Sequence, residues 1–295
     1  MVGSLARLRS RDIGRTAREA ARGVRRRAAA INRGTVPYVG SRLVDFVLRL
    51  PSFVRGGLLQ ALATYRRPAT FAHRGGPAVM LIPGLFCTPG VMNRLGRELE
   101  RAGLDVYLPR AFPYFRGALA NTGPVDRSVE ILLDDLEVLA TEHDVRSIAL
   151  VGHSVGGIVA LAATARAGDG RRELPAIDGV VLLSPPLDGT PLAVPLGAVF
   201  PACRDVSPDS DVLRLVRAAM PSILQVLSAG SDSFVPVESQ EGLAVPTQRF
   251  ADFQHMDFFV GSGEQVGRAG RAVAAAVHEA STARRRAARE SRAVG

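Results

Sequence analysis

The chain has 295 residues, of which 47% are hydrophobic and 22% are charged. It can therefore bury a large core, and this composition excludes a wholly disordered or a collagen-like protein. The length allows two average domains, and it equally allows one α/β domain with extensions.

The charge is divided unevenly along the chain. All 37 basic residues are Arg, and the formal net charge is +9. Residues 1–75 carry 16 Arg and three acidic residues, residues 76–278 carry 16 Arg and 23 acidic residues, and residues 279–295 have a net charge of +3. The net charge of the whole chain suggests nucleic-acid binding. Because the body is acidic, such binding would be confined to the two ends, and we do not expect it as the function.

Residues 1–75 are predicted to form a basic, partly helical extension. Residues 1–35 are rich in Arg and Ala without an apolar face, and we expect them to be frayed. Residues 41–67 repeat Leu, Val and Phe at roughly helical spacing, with Pro51 dividing the pattern. Two interpretations are open for this segment: a helical extension that packs on the body, or a basic amphipathic segment that lies on an anionic membrane.

Export and membrane insertion are not predicted. The first 30 residues are Arg-rich and lack the apolar run of a secretory signal, and two uncharged stretches, 75–93 and 147–165, are interrupted by Pro or Gly. Cys87 and Cys203 are too few for a disulfide framework and lack metal-ligand spacing. The expectation is a cytoplasmic protein, with peripheral membrane contact through residues 41–67 as an open alternative.

The body, residues 76–281, alternates short apolar runs with helical patterns. Runs rich in Val, Ile and Leu predict strands at 78–83, 104–108, 147–152, 179–183 and 223–228, and a weaker one at 247–250. Helical patterns follow at 91–102, 128–143, 155–166, 212–220 and 265–280, before a basic tail, 282–295, that is expected to be frayed. Continuous apolar runs are typical of strands covered on both faces, so we expect a mainly parallel sheet flanked by helices.

The sequence Gly152-His153-Ser154-Val155-Gly156 joins a predicted strand directly to a predicted helix. Such a turn suits a nucleophilic Ser, because it leaves no room for bulk two residues before and two residues after it. The helix that begins after Ser154 points its unpaired N–H groups at a developing oxyanion. We predict Ser154 as nucleophile and the Val155 amide as oxyanion donor; a helix-capping Ser in a Gly-rich turn is the alternative.

A second oxyanion donor is predicted after the first strand, in Pro83-Gly84-Leu85-Phe86. Gly84 lets the backbone turn, so that the amide of Leu85 can face the same point as the amide of Val155. The alternative is an ordinary Pro-Gly turn at the end of a strand.

A nucleophilic Ser needs a base to take its proton. His255 is the candidate, because it lies in a loop after the last predicted strand. His153, the neighbour of Ser154, is expected to point away from the active side. The remaining histidines precede the first strand or belong to helices; they are His73, His143 and His278.

The base in turn needs an acid to orient it. Asp232 follows the strand at 223–228, on the edge where parallel sheets place their sites. Asp252 and Asp257 share the loop of His255 and are weaker candidates. A turn-capping Asp and a surface His remain alternatives for the pair.

Together these motifs make residues 76–278 resemble an α/β-hydrolase, similar to bacterial lipases and esterases. The motifs that carry the resemblance are Pro83-Gly84-Leu85-Phe86, residues 152–156, Ser184-Pro185-Pro186-Leu187-Asp188-Gly189-Thr190-Pro191, the Asp232 loop and His255. The chain order Ser154, Asp232, His255 is also the order of this fold. Two features depart from the lipase pattern: Pro83 stands where lipases commonly have His, and Pro186 and Leu187 replace a histidine-centred motif.

The resemblance implies cleavage of an acyl bond through a Ser–His–Asp triad and an acyl-enzyme. Residues 185–221 are rich in Pro, Ala, Leu and Val and lie where this fold usually inserts a lid or acyl-binding wall, so a small-molecule or lipid ester with a hydrophobic acyl chain is the expected substrate. No metal or organic cofactor is needed. A thioesterase or acyltransferase would use the same residues, and a non-catalytic membrane- or partner-binding protein is the alternative from another class. The oligomeric state stays open.

Overall fold

The structure is a computed structural model, and it describes residues 67–110, 121–168, 170–241 and 245–294. The described residues all belong to a single compact unit. The predicted frayed segment 1–35 and all but the last residue of the amphipathic segment 41–67 lie outside the described residues.

Six strands of the described ranges form a single parallel sheet. Their bounds are β1 (Ala78–Ile82), β2 (Asp105–Tyr107), β3 (Ser147–His153), β4 (Ala176–Leu183), β5 (Ile223–Ala229) and β6 (Thr247–Phe250). Their order across the sheet is β2-β1-β3-β4-β5-β6, and every neighbouring pair is parallel. The predicted parallel sheet is confirmed. Only β4 begins clearly before its apolar run, because its pairing with β3 already starts at Ala176.

Nine α-helices lie within the described ranges. Their bounds are α1 (Asn93–Arg101), α2 (Val125–Thr141), α3 (Val155–Ala167), α4 (Ala193–Leu196), α5 (Pro201–Asp205), α6 (Asp211–Val216), α7 (Val237–Glu241), α8 (Asp257–Val260) and α9 (Gly263–Val294). Two 3-10 turns, Pro89–Met92 and Arg217–Ser222, precede α1 and follow α6. None of the helices in this part of the chain is both long and apolar enough to cross a membrane.

The core is divided between the two faces of the sheet. Side chains such as Met80 and Ile82 point to the face covered by α2, α3 and α6, whereas their neighbours Val79 and Leu81 point to the face covered by α1, α8 and α9. Alternate strand residues are therefore buried on opposite sides, as the continuous apolar runs predict.

Two predicted boundaries differ from the structure. The basic tail after residue 282 is not frayed, because α9 continues to Val294 and residues 282–291 are exposed on it. Ala and Arg are strong helix formers, so this segment extends a helix whose earlier turns are anchored in the core. The helix predicted at 212–220 ends at Val216 and continues as the 3-10 turn that contains Pro221.

The topology determines where a site can form. The chain leaves β1 toward β2 on one side and leaves β3 toward β4 on the other, although β1 and β3 are neighbours. In open parallel sheets such a reversal leaves a crevice at the carboxyl ends of the two strands, and ligands bind there. The loops after β1 and β3 carry Leu85 and Ser154, so two of the predicted site residues lie at this crevice.

Candidate active site

Ser154 lies on the turn between β3 and α3 with φ 53° and ψ −125°. A non-glycine residue in such a conformation costs on the order of 1–3 kcal/mol, and the surrounding structure must hold it. Here the N–H of Ser154 donates to the carbonyl of Leu183 at 2.9 Å, and the N–H of Gly157 donates to the carbonyl of Ser154 at 2.9 Å. The strained turn presents a serine that is 7% exposed to a cavity at the crevice.

The glycines of the motif permit close backbone contacts around this turn. A Cβ at position 152 would lie 2.5 Å from the carbonyl oxygen of Gly156, and a Cβ at position 156 would lie 2.5 Å from the carbonyl oxygens of Ile82 and Pro83. Real Cβ atoms do not approach so closely. The motif therefore allows the end of β1 to pack against the start of α3.

The predicted oxyanion loop lies directly beside the serine. A Cβ on Gly84 would be 3.0 Å from the Cβ of Ser154, so the backbone before Leu85 packs on the turn that carries Ser154. Leu85 and Val155 line the same cavity as Ser154. Val155 is the first residue of α3, where an N–H has no acceptor within the helix. The two amides are thus near the serine, and their role as oxyanion donors stays a prediction.

Asn121 fixes the conformation of the loop after β1. Its side-chain N–H groups donate to the carbonyls of Gly84 at 3.0 Å and of Cys87 at 2.8 Å. A further bond runs from the N–H of Cys87 to the carbonyl of Gly84 at 3.2 Å. Asn121 is not predictable from the sequence, because a lone Asn 37 residues from its partner leaves no motif.

His255 and Asp232 form the central polar pair of the site. Nδ1 of His255 lies 2.7 Å from Oδ2 of Asp232, which is 1% exposed. Oδ2 also accepts from Nε2 of Gln240 at 3.1 Å, and Oδ1 accepts from the N–H groups of Phe234 at 2.8 Å and Val235 at 2.9 Å. Because a carboxylate only accepts, Nδ1 of His255 carries the proton in this bond, and Nε2 is left as the nitrogen that can accept one.

Gln240 is the second residue that sequence analysis missed. Its side chain is 0% exposed, and its Nε2 donates to Asp232 and also to the carbonyl of Val235 at 2.9 Å. Its Oε1 accepts from the N–H of Ala229 at 3.0 Å. A buried amide with all these partners fixes the carboxylate in place. A Gln in a short helix carries no sequence signal for this role.

The two weaker candidates for the acid have other partners. Asp252 accepts from Arg268 at 2.9 Å, and this hydrogen bond lowers the pKa of Asp252. Asp257 accepts from the N–H of Gln254 at 2.8 Å and from the side chain of Gln265 at 3.3 Å. The structure therefore brings Asp232, of the three aspartates, to His255.

His153 departs from the sequence prediction, which placed it away from the active side. Its side chain is 1% exposed, lines the cavity of Ser154, and has Nε2 2.9 Å from the carbonyl oxygen of His255. Strand alternation does turn His153 to the face covered by α8, but the loop of His255 crosses that face at the end of β3. Its ring meets the ring of Phe259 on α8 edge to face, with centroids 4.7 Å apart. The prediction was wrong because it ignored this crossing loop.

The cavity at the crevice has a volume of ≈ 350 Å³ and is mainly apolar. One wall is formed by the connection between β4 and β5, residues 184–222, which we call the cap segment. It contributes Ala193, Leu196 and Val206, and the loops after β1 and β5 contribute Phe86 and Phe234. Large hydrophobic side chains that are exposed in the described ranges are Val194, Leu196, Val199, Leu215 and Phe234. All but Phe234 belong to the cap segment, and Phe234 lines the cavity.

A second cavity, of ≈ 470 Å³, lies at the amino-terminal ends of β1, β2 and β3. Two of its charged lining residues form ion pairs: Arg146 pairs with Asp144 at 2.5 Å, and Arg284 pairs with Asp178 at 2.5 Å. Ser154 and His255 both line the smaller cavity, which is therefore the candidate active site. Across the described ranges, no three His, Cys, Asp or Glu side chains cluster so as to hold a metal ion.

Comparison with known proteins gives distant matches. A family model described as PGAP1-like alpha/beta domain matches residues 74–200. No curated protein sequence matches the chain. Among solved structures, phospholipase PlaB from Legionella pneumophila is 14% identical with a TM-score of 0.54, and the match covers 69% of this chain and 60% of that chain.

Two further solved structures are similar. A structure from work on the metagenome-derived lipolytic enzymes LipS and LipT is 14% identical with a TM-score of 0.50, and the match covers 70% of this chain and 98% of that chain. The monoacylglycerol lipase of Paleococcus ferrophilus is 20% identical with a TM-score of 0.46, and the match covers 70% of this chain and 96% of that chain. The helix-flanked parallel sheet, the PGAP1-like match over residues 74–200 and the structural likeness to lipolytic enzymes show that the described part of the chain has an α/β-hydrolase fold.

Proposed function

We propose that the protein is a serine hydrolase that cleaves carboxylic esters with a hydrophobic acyl chain. The observation that carries the proposal is the 2.7 Å bond between His255 and a buried Asp232, next to a serine on a strained turn that opens to the same cavity. A nucleophile, a base and an orienting acid in one site are the parts that acyl transfer requires.

In the first half of the reaction, Oγ of Ser154 attacks the ester carbonyl carbon and its proton passes to Nε2 of His255. The carbonyl electron pair moves to the oxygen, and the amides of Leu85 and Val155 stabilise the oxyanion. When the tetrahedral intermediate collapses, the alcohol oxygen leaves with the proton held on Nε2. Asp232 keeps the imidazole in the required tautomer and stabilises its cation.

In the second half, water replaces the alcohol. His255 takes a proton from the water as it attacks the acyl-enzyme, and the proton is returned to Oγ of Ser154 when the carboxylic acid leaves. The protein is thereby restored without a net change in its protons. Each oxyanion donor in such a site contributes roughly 10²- to 10³-fold to the rate.

The apolar lining of the cavity supports the hydrophobic acyl chain. Leu196 and Phe234 are 42% and 40% exposed and line the cavity, so they offer apolar surface at its mouth. Apolar area removed from water stabilises a bound chain by about 25 cal/mol per Å². Binding would therefore strengthen with chain length until the cavity is filled.

The first prediction concerns the nucleophile. Replacing Ser154 with Ala removes the attacking oxygen, and turnover of nitrophenyl esters should fall by roughly 10⁶-fold. Ser147→Ala is the matched control, because Ser147 lies at the opposite end of β3 from Ser154, and it should retain wild-type turnover. Equal hydrolysis by the wild type and Ser154→Ala would contradict the proposed function.

The second prediction concerns the acyl pocket. Ala193 is 3% exposed and lines the cavity, so Phe at this position would occupy space that a long acyl chain needs. We expect kcat/KM for nitrophenyl octanoate to fall at least about tenfold, which is the penalty of losing one or two buried methylenes. Hydrolysis of nitrophenyl acetate by the same variant is the internal control. A parallel loss for both esters would remove Ala193 from the acyl pocket.

We also propose that residues 41–67 contact an anionic membrane surface. The support is their sequence pattern, apolar at helical spacing with Arg42, Arg49 and Arg55 interspersed. Basic residues near an anionic surface contribute about 1 kcal/mol each, so changing these three to Gln in the full chain should weaken vesicle binding on the order of 100-fold. Cosedimentation with phosphatidylserine vesicles measures this. Unchanged binding would refute the membrane contact and leave the ester-hydrolase proposal unaffected.

A further inference from the structure

We propose that His153 is a positioning residue for His255: its Nε2–H binds the backbone carbonyl of His255 and thereby holds the base against the nucleophile turn. The inference rests on the proposed function, because it takes His255 as the base. It assigns to the residue before the nucleophile a task distinct from those of Ser154, Asp232 and His255.

The chemistry of the bond assigns the proton. Nε2 of His153 lies 2.9 Å from the carbonyl oxygen of His255. A carbonyl can only accept, so Nε2 must donate. Burial, together with the nearby ring of His255, holds the pKa of His153 well below its ordinary value. The ring is therefore neutral, with its single N–H committed to His255.

The other ring nitrogen, Nδ1, makes the arrangement of His153 energetically unfavourable. Nδ1 of His153 is buried without a hydrogen-bond partner among the described residues. Leaving a buried acceptor unsatisfied destabilises the folded protein, a cost that an apolar ring of similar size would avoid. The bond from Nε2 is the interaction that an imidazole makes here and that an apolar ring could not make.

The position of His153 connects three parts of the site. It is covalently joined to Ser154, its Nε2 binds His255, and its Nδ1 would be 2.9 Å from a Cβ on Gly84 of the loop before Leu85. Its ring also supports the imidazole of His255, with centroids 4.6 Å apart at 57°. His153 therefore adjoins the proposed nucleophile Ser154, the proposed base His255 and the loop before Leu85.

The expected effect is on the chemical step. A displacement of about 1 Å in a catalytic group can cost about 10²-fold in rate without affecting the affinity for a substrate bound elsewhere in the pocket. If the bond is lost, the loop of His255 can shift relative to Ser154. The bond between Asp232 and His255 would remain, because it belongs to the loops after β5 and β6.

Three substitutions of His153 in the full chain test this. In His153→Gln, the side-chain amide nitrogen is separated from Cβ by three bonds, as Nε2 of the imidazole is through Cδ2. The amide can therefore donate to the same carbonyl. In His153→Asn the amide reaches only the place of Nδ1, and in His153→Phe the ring is kept without a donor. We expect kcat for nitrophenyl acetate to fall 10- to 100-fold in the Asn and Phe variants, with KM within about twofold of the wild type.

Rescue by the Gln variant separates positioning from a merely structural role. We expect its kcat to lie within about fivefold of the wild type. Wild-type kcat in the Asn and Phe variants, or equal losses in the Gln and Phe variants, would overturn the proposal. If instead the wild type shows no turnover that depends on Ser154, the proposed function fails first, so the two failures are distinguishable.

A measurement on the wild type keeps the test open if a variant does not fold. Nitrogen-15 spectra of labelled histidine report which ring nitrogen carries the proton. The proposal requires a neutral His153 protonated on Nε2 at pH 7. A ring protonated on Nδ1, or on both nitrogens, would overturn it.

Discussion

The hydrogen bond between Nδ1 of His255 and Oδ2 of Asp232 is the interaction on which the account of the site depends. It joins the loop after β6 to the loop after β5, and it determines which nitrogen of His255 is available to Ser154. The carboxylate is held by two backbone N–H groups and by Gln240, so it cannot turn toward another partner. Because burying a carboxyl group is costly unless its oxygens are hydrogen-bonded, these donors stabilise Asp232 at 1% exposure.

The sheet brings these loops together. The reversal of strand order between β1 and β3 opens the crevice, and the approach of Gly156 to the carbonyls of Ile82 and Pro83 brings the loop after β1 close to the turn of Ser154. The strain at Ser154 is held by backbone bonds to β4 and within α3. The cap segment then adds an apolar wall, so the polar side chains of Ser154 and His255 lie beside a hydrophobic pocket. This combination is the reason for proposing an ester with a hydrophobic acyl group as substrate.

Local sequence signals predicted those parts of the structure that depend on local chemistry. Continuous apolar runs predicted the strands. Gly152 and Gly156 around Ser154 predicted the turn, because the crowded backbone there leaves no room for a side chain at either position. The features that were missed depend on contacts distant in sequence. Asn121 and Gln240 are ordinary polar residues until folding brings them to Gly84 and Asp232. The orientation of His153 depends on a loop 102 residues later, which strand periodicity does not include.

The measurement that tests the central claim most directly is covalent labelling of the intact protein with a fluorophosphonate, followed by peptide mass spectrometry. An activated serine displaces fluoride from phosphorus through the same attack and the same base that ester cleavage needs. The account predicts one adduct per chain, on Ser154, and much slower labelling when Asp232 is replaced by Asn. An unlabelled Ser154, or labelling at the same rate in that variant, would contradict it.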